Sequence, residues 1–419
     1  MIIPSIDLMG GQTVQLIGGE EKALDAGDPI AIAEQFRVAG EIAVVDLDAA
    51  LGQGNNTDLI EKLLSVADCR VGGGVRDLET ARHWLDLGAT KVVIGTAATP
   101  EFLSQLPKQR VIAALDTKHG EVVVEGWRKG TGHDVFTRIE ELKDHVGGFL
   151  VTIVEREGRM SGTAGFELVE RLCKAASPAR VTIAGGITNT DEIAALDRLG
   201  ADAQVGMAIY TGQLDLADSI AAPLVSDRED GLWPTLVADE SGVALGLAYS
   251  DPESLRTAVR NRRGAYRSRK RGLWIKGDES GNIQELLRID TDCDRDTLRF
   301  TVRQHGQGFC HKGSDTCFGD AGGIAALSRL LENRHRSAPQ GSYTKRLFED
   351  QGLLASKIEE EARELVEADS RDAIRHEAAD LLYFTLVKLA AAGLPFADVE
   401  AELDRRRRRV TRRPGNAKP

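Results

Sequence analysis

The chain has 419 residues, 42% of them hydrophobic, and its 65 Asp and Glu outnumber 53 Lys and Arg for a net charge of −12. That length holds two or three domains with real cores, and that charge excludes generic binding to nucleic acid while leaving room for a small phosphorylated ligand held by local cations. Five cysteines without a disulfide framework point to a reducing cytoplasm; no apolar run reaches membrane-spanning length, and no basic region precedes Asp7, so neither a span nor a signal peptide is expected.

Residues 1–222 alternate short apolar runs with amphipathic segments. Strands are expected at 2–6, 43–47, 70–71, 91–94, 111–115, 148–154, 181–183 and 203–205, with helices such as 58–66 and 78–87 between them. Eight strands alternating with helices predict a (β/α)8 TIM barrel. An internal repeat supports two fused half-barrels: Ile3-Pro-Ser-Ile-Asp7 echoes Ile112-Ala-Ala-Leu-Asp116, Gly73-Gly74-Val75 echoes Gly185-Gly186-Ile187, and Ile94-Gly95-Thr96-Ala97 echoes Val205-Gly206-Met207-Ala208. A single Gly-Gly turn reads as a tight turn and nothing more. A repeated pair, each between strand and helix, favours two phosphate sites, because glycine lets backbone N–H groups approach and the helix N-terminus favours negative charge. Asp7 and Asp116 fall at strand C-terminal ends, where a carboxylate pair can serve as base and acid.

These segments, with Val45-Asp46-Leu47-Asp48, Gly126-Trp127, Arg76 and Thr152, resemble the ProFAR isomerase family. The resemblance implies an Amadori rearrangement of a bis-phosphorylated aminoimidazole carboxamide compound, with Asp7 as general base. The family's second catalytic Asp falls on Glu157, in Arg156-Glu157-Gly158-Arg159. Gln15 and Met207 stand where the family commonly carries Arg, and Arg159 where it carries Thr. A barrel that binds phosphate ligands without turnover is the alternative reading.

Residues 223–233 are polar and turn-rich and read as a linker. A small β-rich α+β domain is expected over 234–320, with strands at 235–238, 244–249, 283–289 and 297–302 and a helix at 252–260. Within it, Asp292, Asp294 and Asp296 bracket Cys293, and Cys310 and Cys317 follow. Thiolates suit zinc, and carboxylates suit magnesium. Three ligands leave a fourth zinc position open, the catalytic pattern; a structural knuckle or plain buried cysteines are the alternatives. His311, beside Cys310, is placed to shuttle protons. The arginine-rich run 260–271 is either a phosphate-binding surface or a solvated face. Asp-Cys-Asp-x-Asp followed by Cys-His-x6-Cys, with Tyr266-Arg267-Ser268-Arg269 and Leu273-Trp274-Ile275-Lys276-Gly277-Asp278-Glu279-Ser280-Gly281 upstream, resembles phosphoribosyl-AMP cyclohydrolase. That resemblance implies zinc on Cys293, Cys310 and Cys317, magnesium on the three Asp residues, substrate contacts from Arg267, Arg269, Trp274, Lys276 and Ser280, and a homodimer.

A linker with a connecting helix is expected over 321–341, its last part 335–342, followed by a helical domain over 342–419 with amphipathic patterns at 353–368, 373–392 and 396–410. Glu360, Glu361 and Glu364, and Glu377 and Asp380, share helix faces by spacing. Such faces make an oxygen-rich magnesium cage, or, as readily, an ordinary charged helix paired with Lys and Arg. Lys357-Ile-Glu-Glu-Glu-Ala-x-Glu364 and His376-Glu-Ala-Ala-Asp380 resemble phosphoribosyl-ATP pyrophosphohydrolase of the α-helical type, which implies magnesium on these five carboxylates and oligomerisation through helices. The basic end, 405–409 and 411–419, either holds phosphates or is a flexible tail. Together the last two regions resemble part of the fungal multifunctional histidine proteins. The three resemblances concern consecutive steps of one pathway, run from C-terminus to N-terminus.

Overall fold

In this computed structural model the described residues are 1–18, 21–124, 127, 129–306 and 308–411. Residues 125, 126 and 128 beside Trp127, and the tail beyond 411, lie outside them. By internal contacts the chain forms two compact units. One comprises Met1–Ala238, Gly246–Gly306 and the stretch from Arg405; the other comprises Asp239–Leu245 and the stretch ending at Asp404.

Eight parallel strands close into a TIM barrel in the first unit. In chain order they are Ile2–Met9, Ile42–Asp46, Cys69–Gly72, Lys91–Ile94, Val111–Lys118, Gly148–Ile153, Arg180–Ala184 and Ala201–Val205. Closure comes from pairing of Gly148–Ile153 with Val111–Lys118, and of Ile2–Met9 with both Ala201–Val205 and Ile42–Asp46. Ile112, Leu150 and Ala184 pack together, with Val93 and Ala114 against them. Helix starts are set by short polar side chains that accept backbone N–H groups: Asp28, Asp77, Asp134, Asn189 and Asp215 each cap one.

Two hairpins were not expected from the sequence. Gln12–Ile17 and Glu21–Gly27 extend the first barrel strand, and Glu121–Val124 and Lys129–Asp134 extend the fifth. They occupy equivalent places in the two halves of the repeat.

Beyond the barrel, a four-stranded sheet orders its strands as Ala244–Ser250, Trp233–Asp239, Leu298–Gln304 and Gln284–Thr291. The helix Pro252–Asn261 starts in a capping box of Asp251 and Ser254. A two-stranded ribbon pairs Ala265–Ser268 with Gly272–Ile275. Arginines of this segment reach barrel carboxylates within the same unit: Arg256 to Asp218, Arg262 to Glu34, Arg288 to Asp68 and Arg295 to Asp197.

The second unit is mainly helical: Gly323–Ser337, Tyr343–Glu349, Gln351–Glu367, Arg371–Ala391 and most of Phe396–Arg407. Leu331, Leu347, Leu354, Phe384, Leu386, Val387 and Ala390 form its core. The connecting helix runs to Ser337, past the expected linker start at 335, because the His335 ring packs 4.8 Å from Phe348 and Pro339 stops the helix only later. No single helix among the described residues is long and apolar enough to cross a membrane.

Candidate functional site

The barrel opens into a cavity of about 820 Å³ at the C-terminal ends of its strands. Asp7, Asp116, Thr152 and Glu157 line it, as do Gly73, Gly74, Arg76, Gly95, Thr96, Trp127, Gly185, Gly186 and Gly206. The strand ends bring together residues separated by most of the barrel sequence. Ser5 donates to Asp7 at 2.8 Å, and Gln15, from the first hairpin, donates to the other Asp7 oxygen at 3.3 Å. Thr152 and Trp127 hydrogen-bond Asp116 in the equivalent way. The repeat is thus visible in the support of each Asp, one partner from a strand and one from the rim.

The three carboxyls differ in their electrostatics. Burial raises the Asp7 pKa to about 6, against hydrogen bonds from Ser5 and Gln15. Burial also raises Asp116, again against its hydrogen bonds. Glu157 is pushed up to about 8, first by burial and then by the charges of Asp7 and Asp116. Its Oε2 is buried without a hydrogen-bond partner among the described residues. A carboxyl so placed is held neutral and can donate a proton.

The glycines divide by what demands them. Gly73, Gly74, Gly185 and Gly186 all have positive φ, and a Cβ would strike Asp46, Ala49, Ile153 and Gly162 respectively. The tight turns alone require them. A Cβ on Gly95 would meet nothing nearer than 4.0 Å, so packing does not explain that glycine. Arg76 lines the cavity while donating to the carbonyls of Ala49 and Ala50. Lys129, His133 and Arg138 also line the cavity and were missed in the sequence. They belong to the second hairpin and the helix after it, whose only signal was the repeat.

In the segment after the barrel, Asp292, Asp294 and Asp296 bring one oxygen each within 4.8 Å of one another at the tip of the Gln284–Thr291 and Leu298–Gln304 hairpin. Hard oxygen donors so gathered fit a divalent cation. Cys293 is exposed in the same unit, while Cys310 and Cys317 belong to the other. There, the Lys312 N–H, Ser314 and Cys317 all hydrogen-bond the Cys310 sulfur and lower its pKa, as a thiolate ligand requires. His311 beside it is exposed. Trp274 lies 5.8 Å from the Tyr266 ring, with Lys276 at 5.8 Å over its own ring. Arg269 stacks on Tyr249, and Ser280 accepts from the Asn282 N–H. Arg267 is paired with Asp251 and Glu253.

In the helical unit, Glu361, Glu377 and Asp380 gather within 4.8 Å across the facing helices Gln351–Glu367 and Arg371–Ala391. Burial, then the neighbouring Glu364, Glu361 and Asp380, raise the Glu377 pKa, which places Glu364 at the cluster as well. Four like charges facing one another are unfavourable without a cation between them. Glu360 stands apart from that group and pairs with Lys357 at 2.8 Å, and the same Lys357 also reaches Glu361 of the cluster at 3.1 Å.

The histidine biosynthesis protein family model matches residues 1–215, the phosphoribosyl-AMP cyclohydrolase model residues 246–319, and the phosphoribosyl-ATP pyrophosphohydrolase model residues 324–407. Among curated relatives, the histidine biosynthesis bifunctional protein of Schizosaccharomyces pombe is 49% identical over 206 residues, 49% of this chain and 49% of that protein. The histidine biosynthesis trifunctional protein of Komagataella pastoris is 50% identical over 204 residues, 49% of this chain and 24% of that protein. An imidazole-4-carboxamide isomerase of Methanocaldococcus jannaschii is 35% identical over 233 residues, covering 52% of this chain and 98% of that protein. The chain thus spans about half the length of the first fungal relative and a quarter of the second.

Proposed function

The chain belongs to the histidine biosynthesis protein family, and we propose that it catalyses three consecutive steps. Its helical region hydrolyses phosphoribosyl-ATP to phosphoribosyl-AMP and pyrophosphate. Its middle region opens the purine ring of phosphoribosyl-AMP to give ProFAR. Its barrel isomerises ProFAR to the ribulosyl compound PRFAR. The observation that carries this reading is the run of three matched segments along one chain, in which each product is the next substrate.

In the barrel, Asp7 with a pKa of about 6 is mostly ionised at neutral pH, and Glu157 at about 8 is mostly protonated. Glu157 delivers a proton to the ribose ring oxygen as its bond to C1′ breaks, and Asp7 takes the proton from C2′, the carbon next to C1′. Burial, then the charges of Asp7 and of Asp116, itself held by Thr152 and Trp127, keep Glu157 protonated. The turns at Gly73–Gly74 and Gly185–Gly186, with Gly95, Thr96, Gly206 and Arg76, hold the two phosphates.

By the family resemblance Cys293, Cys310 and Cys317 would hold zinc, which would supply Lewis acidity for hydrolytic attack, and Asp292, Asp294 and Asp296, and Glu361, Glu364, Glu377 and Asp380, would hold magnesium, which would neutralise phosphate charge. His311 carries the proton beside the thiols. Arg267, Arg269, Trp274, Lys276 and Ser280 bind the nucleotide. Assembly into a homodimer or a higher homo-oligomer through the last two regions belongs to the same reading.

The test gives the purified chain ProFAR in the presence of a chelator and follows formation of PRFAR. Turnover that Asp7→Asn abolishes is the expected result. No turnover, while phosphoribosyl-ATP is still carried through to ProFAR in a parallel assay with Mg2+ and Zn2+ and no chelator, would reduce the barrel to a phosphate-ligand scaffold.

A further inference from the structure

The Asp292–Asp296 hairpin tip is not free-standing. Arg295, the only cation in the loop, turns its guanidinium away from the three carboxylates and onto the barrel, where Nε and Nη2 meet the two Asp197 oxygens at 3.0 and 2.9 Å. Its third nitrogen, Nη1, closes the loop from inside, donating to the Thr291 hydroxyl and the Asp292 carbonyl, both at 2.8 Å. Its own carbonyl accepts the Val225 N–H at 2.8 Å. Arg295 takes φ +65°, a conformation an L residue adopts only when its surroundings hold it there. Asp197 is equally fixed: it lies on the barrel helix Thr190–Arg198 and also accepts the Met1 amine at 2.9 Å. The side chains of Arg295 and Asp197 are only 18% and 10% exposed. Within the tip, Asp292 accepts the Asp296 and Thr297 N–H groups at 3.1 and 3.2 Å, so the same turn sets the carboxylate spacing.

We propose that Asp197 and Arg295 are a positioning pair through which the isomerase barrel holds the Asp292, Asp294 and Asp296 carboxylates in cation-binding geometry for the ring-opening site. Three like charges at a hairpin tip repel one another and splay. A bidentate clamp to a rigid helix, with the guanidinium spent on Asp197 rather than on the carboxylates, keeps them together and leaves them free for a divalent ion. The barrel is therefore a working part of the second site as well as the owner of the first. This rests on the reading of the acidic tip as a cation site.

The experiment uses the full chain carrying Glu377→Gln and Asp380→Asn, so that the helical carboxylates do not compete, and reads Mn2+ binding by electron paramagnetic resonance alongside the Mg2+ dependence of ring opening. Asp197→Asn is expected to weaken Mn2+ binding about 10–100-fold and to raise the Mg2+ concentration for half-maximal rate similarly. The rate at saturating Mg2+ and the isomerisation of ProFAR stay near those of the parent, and Asp197→Glu recovers part of the affinity. Asp294→Asn provides the control for the site itself. Unchanged Mn2+ affinity in Asp197→Asn, with affinity lost in Asp294→Asn, overturns the positioning role alone. Unchanged affinity in both variants overturns it together with the cation reading.

Discussion

At the scale of single residues, the acid–base assignment in the barrel follows from electrostatics and has a pH signature. Isomerase kcat/KM should rise as Asp7 ionises near pH 6 and fall as Glu157 loses its proton near pH 8. Removing the Asp116 charge removes one cause of the Glu157 shift, so Asp116→Asn should move the alkaline limb to lower pH, measured as a pH–rate profile. Asp7→Asn should cost about 100- to 10,000-fold in kcat. Glu157 also bears on stability. Its folded pKa exceeds the ordinary 4.5, so the folded chain binds the extra proton, and stability falls as pH rises from there through about 8. Glu157→Gln should therefore raise Tm at pH 8 while lowering isomerase activity. Glu41 has the opposite sign. Burial opposes its ionisation, but Arg70 and Lys91 hold its pKa at about 2, so its contribution is lost as pH falls from about 4.5 through 2. Glu41→Gln strands the Arg70 guanidinium, only 4% exposed, and should cost about 3–5 kcal/mol in denaturant unfolding.

At the scale of elements, the strands and helices of the barrel were legible because burial imposes period on them. The helix Leu78–Leu87 appears at its expected bounds, and the eight strand positions differ only at their ends. The rim hairpins were not legible. Lys129–Asp134 contains two glycines and is largely exposed, and the Gln12–Ile17 and Glu21–Gly27 pairing carries register shifts, so no alternation survives in either. Every barrel site residue named from the sequence lines one cavity, since each sits at a strand end or the turn after it. What the sequence hid was support: Lys129, His133 and Arg138 carry no motif, and only the folded rim gives them a place; Ser5 lay inside the Ile3–Asp7 repeat, but its hydrogen bond to Asp7 shows only in the fold. The glycines yield a contrast at this scale. Gly186→Ala should lower barrel stability, because its Cβ would lie 2.3 Å from the Gly162 carbonyl. Gly95→Ala should change stability by no more than about 0.5 kcal/mol, since surface-like open positions shift stability little, yet raise KM by narrowing the cavity. Thermal unfolding and steady-state kinetics on the two variants distinguish turn from phosphate contact.

At the scale of the molecule, the compact units do not follow the order of the chain. Residues beyond Arg405 return to the barrel: Arg408 reaches Asp68 at 2.9 Å, its carbonyl accepts from Arg110, and the Val410 and Thr411 N–H groups fall on Asp86 at 2.7 and 2.9 Å. The start of the basic end is thus spent on barrel carboxylates. Asp68 serves Arg288 as well, so one acidic side chain ties the barrel to two distant stretches. Asp68→Asn should loosen both, seen as faster hydrogen exchange around 288 and 408 with isomerase activity retained. This return has a consequence for synthesis. The first unit is interrupted by the second, so a ribosome must finish roughly one hundred further residues, about 5–20 s of translation, before the last strap of the first unit emerges. Until then Asp68, Asp86 and Arg110 wait without those partners, and a nascent barrel halted before 405 is the species in which a chaperone or protease would find them.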